Sequence, residues 1–254
     1  METILRRERL IVGGCLAALV ALAWLYLFRI MAEMPHMDMP GMVMPDMLTW
    51  NAATVVLLFV MWAVMMVAMM VPSAAPMILA FLTLNQRRRT TSRPLVPVGL
   101  FLLGYLVVWS TYSALATLAQ WGLHEAALLS SMMAATSPLL NGGLLLAAGV
   151  FQWTPLKRAC LKGCRSPLSF LMSEWREGAA GAFVMGLRHG TYCVGCCWVL
   201  MALLFVAGVM NLLWVAVIAL FVLAEKALPQ GELLGRVAGI TLVIAGIGVM
   251  ARLW

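Results

Sequence analysis

Charge is scarce in this sequence. Only 11% of its 254 residues are charged and 64% are hydrophobic, where a soluble domain carries about 25% charged and about 45–50% apolar residues. That shortage excludes a water-covered surface of ordinary polarity. The chain also lacks a nucleotide-binding glycine loop, a nucleophile elbow and a His-x-x-x-His zinc signature, so none of those chemistries announces itself. No internal repeat is visible, and no polar stretch is long enough for a separate soluble domain.

What is present is a series of long apolar runs. Runs of about 18 or more residues argue for membrane helices, and backbone groups in lipid must be satisfied within a helix or a closed barrel. Barrel strands alternate between lipid and lumen, whereas these runs are uniformly apolar. The expected fold is therefore all-α: a single polytopic transmembrane helix bundle over 1–254, with six to seven helices. The predicted spans are 10–30, 50–71 with an extension toward 84 past Pro72 and Pro76, 95–119, 138–153, 189–210, 212–228 and 237–253. A half-helix or interfacial piece is expected at 179–187. The first run exceeds the about 7–15 residues of a signal-peptide core and no small-x-small cleavage site follows it, so it reads as a retained helix.

All of the 17 basic residues except Arg29 and Arg252 fall on one side of this arrangement. Basic loops mark the cytoplasmic face, which places the N-terminus on the cytoplasmic side. The net charge of +7 thus reports topology, and no nucleic-acid partner is expected. Membrane lipid is the implied environment, and the sequence leaves the oligomeric state open.

Three groups of residues carry chemistry. The first is a methionine-rich segment at 31–48, an outer loop by this topology. A third of the chain's 21 methionines fall within residues 31–47. Met34, Met37, Met39, Met42 and Met44 surround His36, and Pro35, Pro40 and Pro45 prevent a regular helix there. Thioethers are soft ligands that favour Cu(I), and unlike thiols they form no disulfide. The bland reading is a methionine-rich surface used for packing or protein contact.

The second group is a stripe in the second helix: Met61, Met65 and Met69, with Met66 and Met70 also four apart. Four-residue spacing stacks side chains on one helix face. The stripe reads either as a ladder of Cu(I) sites or as lipid-facing and packing methionine. Its Met-x-x-x-Met spacing resembles that in the second helix of eukaryotic high-affinity copper transporters.

The third group is cysteine. Cys15 stands alone and reads as ordinary packing. Cys160 and Cys164 lie in a basic loop at 154–178, cytoplasmic by the same topology, and Cys193, Cys196 and Cys197 follow His189 at the start of the fifth helix. On a continuous helix His189, Cys193 and Cys196 or Cys197 share a face. Such donors suit Cu(I) or Zn(II), and four thiolates suit an iron–sulfur cluster. The neighbouring Lys157, Arg158, Lys162, Arg165 and Arg188 favour thiolate. Both cysteine groups are expected to meet. Glu225 and Lys226 close the sixth helix and read equally as a functional intramembrane pair or as snorkelling surface charges.

Together these segments resemble a bacterial family of predicted metal-binding integral membrane proteins, a domain of unknown function. The resemblance rests on 62–72 (WAVMMVAMMVP), 152–167 (QWTPLKRACLKGCRSP), 193–201 (CVGCCWVLM), 208–211 (GVMN) followed by Trp214, and Glu225–Lys226 with Pro229. It implies a metal-binding membrane protein without supplying an activity. The leading expectation is Cu(I) handling by transport, storage or delivery, with a copper donor or acceptor protein as partner. The rivals are a membrane thiol–disulfide oxidoreductase using Cys193-x-x-Cys196 and a non-catalytic accessory subunit. An enzyme is the less favoured class.

Overall fold

The computed structural model describes residues 2–33, 51–88, 95–130 and 133–251. Among them the regular elements are helices, with one isolated bridge between Leu129 and Ala135. They are α1 (Glu2–Glu33), α2 (Ala52–Arg87), α3 (Leu95–Glu125), α4 (Pro138–Phe151), α5 (Pro155–Arg165), α6 (Pro167–Glu174), α7 (Gly178–Ala202), α8 (Leu204–Ala207), α9 (Leu212–Ala227) and α10 (Gly231–Ala251).

Five of these segments are long and apolar enough to cross a membrane, and α4 with α5, bent by 64° at their junction, would make a sixth. The 16 residues of α9 rise about 24 Å at 1.5 Å per residue, short of the about 30 Å hydrocarbon core. The expected bundle therefore stands at five or six such helices, and α9 joins it by composition rather than by length.

Helix α2 takes the extension past Pro72 and Pro76 and ends at Arg87. Two expectations about individual elements change. The separate half-helix at 179–187 is absent, because α7 runs unbroken from Gly178 to Ala202. No proline interrupts that stretch, and its small residues serve close packing instead: a Cβ at Gly186 would overlap the backbone of Phe101, and one at Gly104 that of Phe183. Helices α3 and α7 therefore touch along their backbones, as small residues permit in membrane bundles. Gly142 and Gly246 do the same for α4 and α10. The basic loop at 154–178 is instead helical over most of its length. Thr154 caps α5 by accepting from the Lys157 amide, and Pro155 and Pro167 each open a helix, where a missing N–H costs nothing.

Helix α2 lies at the centre, against α1, α3 and α9, while α5 packs on α7. Val215, Ile218 and Val222 of α9 are buried, and so are Glu225 and Lys226 in its last turn. The snorkelling alternative for this pair is thereby removed. Cys15, expected to pack, is exposed on α1.

Candidate metal centre

Helix α7 presents His189, Cys193, Cys196 and Cys197 on its inner side, and all four are at most 2% exposed. The helical spacing read from the sequence accounts for this. Helix α5 lies against that face and brings the buried Cys164 alongside Cys193 and Cys196. Cys160, half-buried, sits one turn earlier with its sulfur against Gly195. A side chain at Gly195 would push it away. The two cysteine groups do meet, and the fold of α5 is the reason.

The hydrogen bonds divide the sulfurs into donors and an acceptor. Cys196 and Cys197 donate their S–H groups to the Cys193 carbonyl, at 3.1 and 2.9 Å, a back-bonding pattern within the helix. Cys193 Sγ instead accepts from Lys226 Nζ at 2.9 Å and lies 3.1 Å from the Tyr105 hydroxyl. Lys226 also donates to Ser73 Oγ at 3.1 Å, and the Ser73 and Tyr105 hydroxyls donate to the Met70 carbonyl at 2.9 and 3.1 Å. Side chains of α3 and α9 thus meet the sulfur carried by α7, and α2 holds both of those side chains from behind.

His189 stacks on Tyr105 with ring centroids 5.6 Å apart and meets Phe170 edge-on. It is 2% exposed and its Nδ1 has no hydrogen-bond partner. Buried polar atoms are rarely left so, and an imidazole nitrogen of this kind suits a soft or borderline metal. As the side chains stand, no set of three His, Cys, Asp or Glu donors among the described residues is arranged to hold a metal ion. Two of the thiols, Cys196 and Cys197, are engaged with the Cys193 carbonyl of their own helix. Rotation about their χ1 bonds would redirect them.

The methionine stripe is buried rather than lipid-facing: Met61, Met65, Met66, Met69 and Met70 are each at most 5% exposed. Its inner end reaches the cysteines, with Met70 Sδ 4.0 Å from Cys197 Sγ. Its outer end opens on a small cavity lined by Met31, Met61, Met65 and Met210 together with Leu27, Ile30, Val209 and Leu212. Met31 belongs to the methionine-rich segment read from the sequence, whereas Met210 was not expected there, since it lies on another segment and shares no spacing with the stripe. Met66 and Met69 are core residues that the fold brings to neither place. Met34, His36, Met37, Met39, Met42 and Met44 lie outside the described residues.

The basic side chains expected to influence the thiols mostly turn elsewhere. Lys157 pairs with Glu225, its Nζ 2.7 and 2.9 Å from the two carboxylate oxygens, and also donates to Gln152. Arg165 donates to the carbonyls of Leu228 and Pro229, and Arg188 pairs with Glu174. The cation that touches sulfur is Lys226, which the sequence placed at a helix end without a partner.

The sequence profile of the PpoB2 family, described as copper chaperone, matches residues 59–249. The chain belongs to this copper chaperone family. The match takes in the methionine stripe, both cysteine groups and Lys226, and 31–48 lies before it. The resemblance to predicted metal-binding proteins thus narrows to a copper-related family, while the membrane reading rests on the apolar helices. No curated protein and no solved structure matches the chain.

Proposed function

We propose that this chain is an integral membrane protein of the bacterial inner membrane that takes up Cu(I) on thioethers and holds it on the buried cysteines for delivery to a protein partner. The observation that carries this reading is the placing of soft donors along α2. Met61 and Met65 line a cavity with Met31 and Met210, and five residues beyond Met65 the Met70 sulfur stands 4.0 Å from Cys197 sulfur. Soft ligands select Cu(I) among biological metals, and thiolates hold it more firmly than thioethers. Passage from methionine to cysteine is therefore downhill. Membership of a copper chaperone family supports the same metal. Zinc and iron–sulfur chemistry fit less well, since neither accounts for the thioethers.

The thiol–disulfide reading is weaker because exchange uses thiolates alone and leaves the buried methionines beside the cysteines without a role.

The test is a Cu(I) competition titration on purified protein in detergent, using a chromophoric chelator under reducing conditions. The wild type is expected to retain copper, and a variant with Cys164, Cys193, Cys196 and Cys197 all changed to Ser to lose the tighter class of binding. Equal retention by both proteins would overturn the assignment.

A further inference from the structure

Lys226 is an unusual neighbour for a metal site, because an ammonium group repels a cation. Its surroundings explain why it is tolerated. It is 9% exposed and approaches Cys193 Sγ and Ser73 Oγ, at 2.9 and 3.1 Å. Its charge also acts on Cys164, Cys196 and Cys197. Neighbouring Glu225 is ion-paired to Lys157, and among the described residues no carboxylate forms a salt bridge with Lys226. A buried charge needs a partner or costs heavily, and the partner Lys226 has is the accepting sulfur of Cys193.

We propose that Lys226 is the built-in counter-charge of the copper site, a positioning residue that commits the protein to a two-thiolate Cu(I) complex with Cys193 as one ligand. The inference rests on the copper reading above and adds to it the composition of the bound state. Cu(I) with two thiolates carries one negative charge. In water that is harmless, but within an apolar bundle an unbalanced charge is strongly disfavoured. The Lys226 ammonium neutralises it at contact distance. Before copper arrives, Lys226 and Cys193 form a neutral pair. Cu(I) then takes the place of one thiol proton, from Cys164, Cys196 or Cys197. Copper leaves its thioether donors, two Cu–S bonds form, to the Cys193 thiolate and to that second sulfur, one S–H bond breaks, the proton leaves, and the net charge inside is unchanged. With a neutral residue at 226, the uncharged alternative has a single thiolate supplemented by thioether, which holds copper less firmly. Lys157, Arg165 and Arg188 do not substitute, since they are engaged by Glu225, two carbonyls and Glu174.

The experiment compares wild type, Lys226→Gln, Lys226→Arg, Cys193→Ser and the Lys226→Gln/Cys193→Ser double variant by Cu(I) competition in detergent. Lys226→Gln is expected to weaken Cu(I) binding about tenfold or more, as loss of a buried counter-charge should, and Lys226→Arg to recover most of it. If Lys226 acts through Cys193, the double variant binds no more weakly than Cys193→Ser, because coupled changes are not additive. Wild-type affinity in Lys226→Gln, or full additivity in the double variant, overturns the proposal while leaving the copper assignment standing. Loss of the copper assignment itself would show as wild-type protein whose Cu(I) binding ignores the cysteines. X-ray absorption of the wild-type copper complex provides a check that requires no variant to fold. Two cysteine sulfurs at copper agree with the proposal, and one excludes it.

Discussion

Glu225 and Lys226 are adjacent in the chain, yet they serve different partners. Successive helical side chains point about 100° apart, so Glu225 turns to Lys157 on α5 while Lys226 turns to Cys193 on α7. The first pair is buried on both sides, at 2% side-chain exposure each. Breaking such a pair from one side leaves an uncompensated charge and costs about 3–5 kcal/mol, whereas replacing both partners with apolar residues is often neutral. Glu225→Gln should therefore lower the thermal unfolding midpoint in detergent markedly. The Lys157→Met/Glu225→Leu double variant should recover most of the loss. A Glu225→Gln protein that melts with the wild type would show that the pair contributes nothing.

At the scale of the helix, close backbone contact between α3 and α7 sets where the site's side chains lie. Gly104 and Gly186 allow it, and the contact places Tyr105 and His189 face to face, one turn from Cys193. Gly186→Leu should force the helices apart and destabilise the protein by about 1–3 kcal/mol, the usual cost of overpacking. Gly14 on α1 has open space around it, so Gly14→Leu is a control for the same chemical change. Thermal unfolding of the two variants side by side decides the matter. Equal midpoints would mean that the α3–α7 contact is not tight in the working protein.

For the molecule as a whole, orientation decides what the proposed copper path would connect. The distribution of basic residues predicts an inner loop containing Arg87 to Arg89 and an outer segment containing Met37. In a protein with Cys15→Ser, Met37→Cys should react with a membrane-impermeant maleimide added to intact cells. Thr91→Cys should react only after permeabilisation. The reverse pattern would turn the path around, with the thioether end facing the cytoplasm.

Much of this protein was legible in the chain. Long apolar runs require helices because the backbone must satisfy itself, and α2, α3, α4 and α10 appear near their expected places. The methionine stripe and the shared face of His189, Cys193, Cys196 and Cys197 follow from helical periodicity, which is a local property. The approach of the two cysteine groups was also inferable, because a short connection joins them. Other features were not legible. Small residues at 178–188 look like a break, and only the close neighbour α3 turns them into continuous helix. Met31 and Met210 join Met61 and Met65 from distant segments. Hydropathy sees Lys226 as a charge at a helix end. Whether such a charge reaches for water or turns inward depends on acceptors supplied by other helices, here a sulfur 33 residues and a hydroxyl 153 residues away in the chain. Periodicity along one helix carries no information about such partners, so tertiary packing alone decided the electrostatics of the site.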